Sequence, residues 1–262
     1  MHLTAGQQWW APLTQPLYDR DRLRARLLVL PHSGGGPNRY RELVAGLPED
    51  FEVLGLTLPG RERRLGEPLG AVLDDVIGSL DEIHRNGPPL PTVIFGHSLG
   101  AGLGLHLAHA LGPQCHALVA SAQAPQERVG RRPDGTDDDL LSILERSDAN
   151  VPPEILEDDE WRATVLRTLR ADLRLGIQAA GLTEGIRIAA PITVLCGRED
   201  RLIPLDQLTN WRTYTSGPCE VTLFPGGHFA LFDAINRQSI TGVLEQHLTM
   251  AAADAGYRTA TA

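Results

Sequence analysis

The pentapeptide Gly96-His97-Ser98-Leu99-Gly100 stands between an apolar run at residues 92–95 and a helix-period run at residues 99–111. Glycines on both sides of a serine let the backbone turn tightly from strand to helix. The turn lifts the hydroxyl above the sheet at a helix N-terminus, the arrangement of a nucleophile elbow. A serine hydroxyl is a poor nucleophile at neutral pH and needs a base. Of the nine histidines, His106 and His109 fall on the elbow helix, His84 ends a helix, and His2 and His247 lie near the termini. His97 adjoins the serine, but the turn points it away. His228 follows the last strand through Pro225-Gly226-Gly227 and precedes the last helix. That loop is where a base meets a serine at the same sheet end. An acid must then fix the imidazole tautomer and stabilise the imidazolium. Asp200 closes Gly197-Arg198-Glu199-Asp200 after a strand and keeps the chain order serine, acid, histidine; Glu199 and Asp206 compete for the role. Two backbone N–H groups should hold the oxyanion. Leu99, next after the serine, offers one. The loop Pro31-His32-Ser33-Gly34-Gly35-Gly36 offers the other, assigned to Ser33, with His32 and Gly34 as alternatives. A phosphate-binding loop would need a lysine, and all 24 basic residues are arginine, which also excludes Schiff-base chemistry.

These groups need a scaffold that brings strand ends together. Residues 26–31, 51–58, 91–95, 118–120, 191–196 and 220–224 read as strands, most of them continuously apolar. Helix-period stretches separate them: a short one near 40–47, then 72–84, 99–111 and 229–252. Alternation of this kind predicts a parallel sheet with helices on both faces. The stretch from 124 to 190 is far longer than the dozen or so residues a crossover needs. Thr136 with Asp139 forms a capping-box pattern ahead of Leu140-Leu141. Residues 159–180 read as a long amphipathic helix with Trp161, Val165, Leu169, Leu173 and Ile177 every four residues, stopped by Gly181. The expectation is one domain over residues 1–262 carrying a helical lid at about 124–188, the stripe facing an acyl channel or packing the lid onto the body. The tail 251–262 is small and polar and is expected to fray.

Composition narrows the partners. A formal net charge of −9 argues against nucleic acid. No apolar run approaches the ~20 residues of a membrane span. The N-terminal residues have no apolar signal core, so a cytoplasmic location is expected. Cys115, Cys196 and Cys219 show no metal-binding spacing and read as free thiols.

The motifs together resemble those of the type II thioesterases, stand-alone α/β-hydrolases that accompany polyketide and nonribosomal peptide synthases. A Trp9-Trp10 leader precedes Leu30-Pro31-His32-Ser33-Gly34-Gly35, similar to that family's Pro-aromatic-Ala-Gly-Gly. Pro59-Gly60-Arg61-Glu62 resembles its most distinctive motif, Leu169-Arg170-Ala171-Asp172 its lid motif, and Gly227-His228-Phe229 its last one. Ser33 stands where alanine is usual. Arg146-Ser147-Asp148-Ala149-Asn150-Val151 replaces a Gly-Gly-Thr-like stretch, and Leu175-Gly176-Ile177 an acidic-aromatic pair. These departures surround the acyl pocket and bear on substrate preference.

The resemblance implies an α/β-hydrolase fold and hydrolysis of acyl thioesters from the phosphopantetheine arm of an acyl or peptidyl carrier protein, for editing or release. It implies Ser98, His228 and Asp200 as the triad and no metal or diffusible cofactor; the sequence leaves the oligomeric state open, with a monomer the expectation. The alternatives are a carboxylesterase acting on small oxyesters and a non-catalytic binding protein on the same fold. Carrier proteins are typically acidic, so docking needs local cations: Arg61, Arg63 and Arg64, or Arg128, Arg131 and Arg132. Internal salt bridges of Arg61 and Glu62 are the competing reading of the first cluster.

Overall fold

The computed structural model describes residues 8–15, 20–125, 134–149 and 151–256. Its strands are β1 (Trp10–Pro12), β2 (Ala25–Leu30), β3 (Phe51–Leu56), β4 (Thr92–His97), β5 (Cys115–Ser121), β6 (Ile192–Gly197) and β7 (Cys219–Phe224). They form one sheet in the order β1-β3-β2-β4-β5-β6-β7. β2 to β7 are mutually parallel, and β1 pairs antiparallel with β3, Trp10 opposite Leu56. The helices are α1 (Arg41–Val44), α2 (Leu73–Gly78), α3 (Leu80–Asn86), α4 (Leu99–Leu111), α5 (Asp137–Arg146), α6 (Pro153–Glu157), α7 (Asp159–Gly181) and α8 (Ala234–Asp254).

Strand alternation builds two cores. Leu28, Leu30, Ile94, Leu118, Ala120 and Val194 face one side, where residues of α2, α3, α4 and α7 cover them. Leu27, Val29, Val93, Phe95, Val119 and Leu195 face the other, under α1 and α8. Both faces of the central strands are apolar because both are covered.

The structure departs from the sequence reading in three places. The edge strand β1 was not anticipated: it is three residues long and ends at a proline, which only an edge position tolerates. It is held by Trp10, whose indole N–H donates to the Ser79 carbonyl (3.0 Å), and by the Trp9 amide, which donates to Glu82 (2.7 Å). The expected helix over 72–84 divides at Ser79, whose hydroxyl also donates back to the Val76 carbonyl (2.6 Å). The C-terminal stretch stays helical to Asp254 because Ala251 and Ala252 are buried under the sheet; residues 257–262 lie outside the described residues.

Helices α5 to α7 fill the long insertion between β5 and β6. The expected capping box is present: the Asp139 amide donates to Thr136 Oγ1 (3.2 Å) and the Thr136 amide to Asp139 Oδ2 (2.8 Å). Leu140 of α5 packs with Leu166, Leu169 and Leu173 of α7 in a small core of their own. The four-residue stripe is buried only at Leu169 and Leu173, while Trp161 is 62% exposed. Each step of four residues overshoots a full turn by about 40°, so the stripe winds off the buried face along the helix.

Candidate active site

Ser98 sits between β4 and α4 with φ 53° and ψ −115°, in the positive-φ region that non-glycine residues rarely adopt. The flanking glycines are sterically required. A Cβ at Gly96 would overlap the carbonyl of Gly100, and one at Gly100 would overlap the carbonyl of Leu30. The Ser98 amide donates to the Ser121 carbonyl (2.7 Å), which stitches the turn to the end of β5.

β6 and β7 deliver the other two groups. Their C-terminal ends approach so closely that a Cβ at Gly197 would overlap the carbonyls of Gly226 and Gly227. His228 Nδ1 lies 2.8 Å from Asp200 Oδ2, and both side chains are buried. Asp200 Oδ1 accepts the Leu202 and Ile203 amides (2.8 and 3.2 Å), and the Cys196 thiol donates to Oδ2 (3.6 Å). The competitors are elsewhere: Glu199 accepts the Gly226 amide, and Asp206 is exposed at the start of the 3-10 segment Leu205–Tyr214. Among the described residues no hydrogen bond joins Ser98 to His228. Both line one cavity, and such bonds tighten when substrate binds.

The loop after β2 leaves the amides of Ser33 and Gly36 without an acceptor among the described residues. His32 N–H donates to the Tyr40 hydroxyl (3.2 Å), Gly34 N–H to Asp172 Oδ2 (2.6 Å) and Gly35 N–H to the His32 carbonyl (3.0 Å). Ser33 N–H has no acceptor among the described residues, and neither has Leu99 N–H in the first turn of α4. Ser33 and Ser98 both line the cavity.

Three histidine rings meet beneath it. His97 packs 5.1 Å from His228 and 5.7 Å from His32, ring centre to ring centre. His97 turns its Nδ1 to Ser121 Oγ (3.0 Å), away from the serine as expected. Burial first, then neighbouring cationic groups, holds its pKa well below the usual histidine value. Burial, with Arg39, His228 and Arg61 adding, lowers His32 to about 3. Of the three, only His228 has a carboxylate partner among the described residues.

The cavity holds about 410 Å³ and its wall is largely apolar. Ile143 and Leu144 of α5 and Val165, Leu169 and Leu173 of α7 line it, so the middle of the stripe faces the site. Trp161 and Ile177 do not reach it. Burial pushes the Cys115 and Cys196 thiols up to about 12, so neither is a nucleophile at neutral pH. No cluster of His, Cys, Asp or Glu suited to a metal occurs among the described residues.

Two of the three arginines in the first cluster, Arg61 and Arg64, are buried. Arg61 forms a two-pronged ion pair with Asp172 of α7, at 2.7 Å on each oxygen. Arg64 is buried against Glu67 (2.6 Å) and over the Trp9 ring, and Arg63 donates to the Gln8 carbonyl. Glu62 accepts the amide and side chain of Asn38 rather than pairing with Arg61. Docking through Arg61 and Arg64 is therefore corrected, because both cations are spent inside the fold, whereas Arg63 is exposed. Arg128, Arg131 and Arg132 lie outside the described residues. The Arg61–Asp172 pair went unread in the sequence because its halves lie 111 residues apart.

A thioesterase domain model matches residues 25–248. The chain belongs to the thioesterase family. It is 32% identical over 226 residues to a probable cadicidin biosynthesis thioesterase of Streptomyces griseus, covering 81% of this chain and 61% of that one. It is 29% identical to the gramicidin S biosynthesis protein GrsT of Aneurinibacillus migulanus, covering 80% and 84%. Among solved structures, the type II thioesterase BorB of the borrelidin biosynthetic cluster superposes with a TM-score of 0.73 at 27% identity, covering 95% and 99%. The resemblance to type II thioesterases read from the motifs is borne out, as is the α/β-hydrolase fold. No helix among the described residues is long and apolar enough to cross a membrane.

Proposed function

We propose that this thioesterase hydrolyses acyl groups from the phosphopantetheine arm of acyl or peptidyl carrier proteins through a Ser98–His228–Asp200 triad. One observation carries the reading: a serine on a strained elbow opens into an apolar cavity shared with a histidine already hydrogen-bonded to a buried carboxylate. Ser98 Oγ attacks the thioester carbonyl as His228 Nε2 takes its proton, and Asp200 holds the ring through Nδ1–H and stabilises the imidazolium. The amides of Ser33 and Leu99 receive the oxyanion. The tetrahedral adduct collapses by breaking the carbon–sulfur bond, and His228 returns the proton to the thiolate. Water then attacks the acyl-enzyme as His228 takes its proton, the carbon–Oγ bond breaks, His228 returns the proton to Ser98 Oγ, and the carboxylic acid leaves. These steps draw on protein groups alone.

The carrier-bound substrate is supported by the relatives, whose names place them in cadicidin and gramicidin S biosynthesis, and by the apolar wall offered to an acyl chain. The inserted helices, within 124–188, act as a lid over that wall. A carboxylesterase would share the triad, so the test is substrate choice. The purified chain is offered an acyl-carrier protein, the matching N-acetylcysteamine thioester and a p-nitrophenyl ester. Higher kcat/KM on the carrier-bound acyl group, lost in Ser98→Ala, supports the reading. Rapid oxyester turnover with the carrier thioester left intact contradicts it.

A further inference from the structure

The proposed mechanism places an oxyanion donor on a glycine-rich loop, a segment with little rigidity of its own. We propose that Asp172 and Arg61 are a positioning pair that fixes this donor and thereby joins helix α7 to the catalytic geometry. The inference rests on the acyl-transfer reading of the site, though not on which acyl carrier is used.

The loop is held at two consecutive residues. Asp172 Oδ2 accepts the Gly34 amide at 2.6 Å, and Arg61 Nη1 donates to the Gly35 carbonyl at 3.2 Å. Arg61 and Asp172 are bound to each other at 2.7 Å through both oxygens, and both are buried. The residue ahead of the clamped pair is Ser33, whose N–H, like that of Gly36 at the far end of the loop, has no acceptor among the described residues. With Gly34 committed to Asp172 and His32 to Tyr40, neither alternative donor is available, and the orientation of Ser33 N–H is set by the clamp. Steric wedging completes the restraint. A Cβ at Gly35 would strike the His32 ring, and one at Gly36 would strike the Glu62 carboxylate.

A buried ion pair is a poor stabiliser, since desolvation offsets much of its attraction and apolar replacements are often as stable. What a two-pronged arginine–carboxylate pair supplies is fixed geometry. Here the geometry spans three segments: the turn after β3 that carries Arg61, the loop after β2 and the middle of α7. Asp172 sits beside Leu173 and three residues after Leu169, which line the acyl cavity. The helix that forms the acyl wall thus also holds the oxyanion donor. An acyl group that displaces α7 shifts the donor, so a poor fit appears in kcat.

The test compares Asp172→Asn with the double variant Arg61→Met/Asp172→Leu, which removes both buried charges at similar volume. Both are measured with the N-acetylcysteamine thioester and with a p-nitrophenyl ester, because either acyl group uses the same donor. Failure of carrier-protein hydrolysis in the wild type would sink the proposed function while leaving this comparison intact. A displaced donor predicts a kcat loss of about a hundredfold at near-wild-type KM. It also predicts that affinity for a boronic acid, which mimics the tetrahedral state, falls by the same factor as kcat/KM. Affinity for a non-hydrolysable thioether analogue should stay unchanged. Arg61→Lys, which keeps one donor, should recover part of kcat. The proposal is overturned by a double variant with wild-type kcat, or by a loss confined to KM. Should Tm fall in both variants, the ratio of boronate to thioether affinity decides: a fall supports the clamp, and an unchanged ratio overturns it.

Discussion

Asp200 is held by several partners at once. It accepts two amides, a thiol and the His228 ring, a set that keeps one oxygen aimed at Nδ1. Asp200→Asn preserves its size but supports the wrong imidazole tautomer. Turnover should fall by about 10⁴-fold with the fold intact, measured as kcat beside circular dichroism. Near-wild-type turnover would remove Asp200 from the triad. A second consequence concerns His32. Its pKa is near 3 when folded against 6.5 for a free histidine. Between those values the unfolded chain binds a proton that the folded chain refuses, so stability rises with pH across that window. The stabilisation is fully present above pH 6.5 and is lost as pH falls toward 3. His32→Asn should flatten the Tm-versus-pH curve there, with His97, whose pKa shifts the same way, supplying part of the remaining slope. An unchanged curve would show that the ring is protonated in the folded state.

The inserted helices are where local pattern and tertiary role part company. The length of α7, its N-terminal region and the α5 capping box were legible because each is set by residues a few positions apart. Which part of the stripe is buried was not, since that depends on how α7 crosses α4 and α5. β1 was illegible for a similar reason: three residues become a strand only when Ser79 and Glu82 receive Trp10 and Trp9. The proposed triad has a local signature, since each member follows a strand and two of them a glycine turn, whereas the Arg61–Asp172 clamp has none. Leu169 and Leu173 line the cavity from mid-helix. Leu169→Trp or Leu173→Trp should therefore shorten the preferred acyl chain, read as kcat/KM across a chain-length series, with a smaller effect on Tm. Trp161→Ala, at an exposed position, should leave both unchanged. An unaltered series in both tryptophan variants would reduce α7 to scaffolding.

At the scale of the whole molecule, the sheet gathers the ends of β2, β4, β6 and β7 at one edge, and the insertion roofs them with apolar side chains. That arrangement serves the chemistry better than it serves attraction, because the chain carries a net charge of −9. An acidic carrier protein is repelled at long range, and raising salt screens the repulsion. kcat/KM for a carrier-bound acyl group should therefore rise, or hold level, as ionic strength increases from low to physiological. A steep fall with salt would mean that a cationic patch dominates the encounter. In the proposed turnover Ser98 receives the acyl group from a carrier-bound thioester. Rapid acid quench of the chain with an acyl-carrier protein, followed by peptide mass spectrometry, measures this directly. The acyl mass should appear on the peptide containing Ser98 as the carrier loses it, followed by free acid, with neither event in Ser98→Ala. Acid released at the wild-type rate by Ser98→Ala, or acyl mass on another residue, would contradict the account.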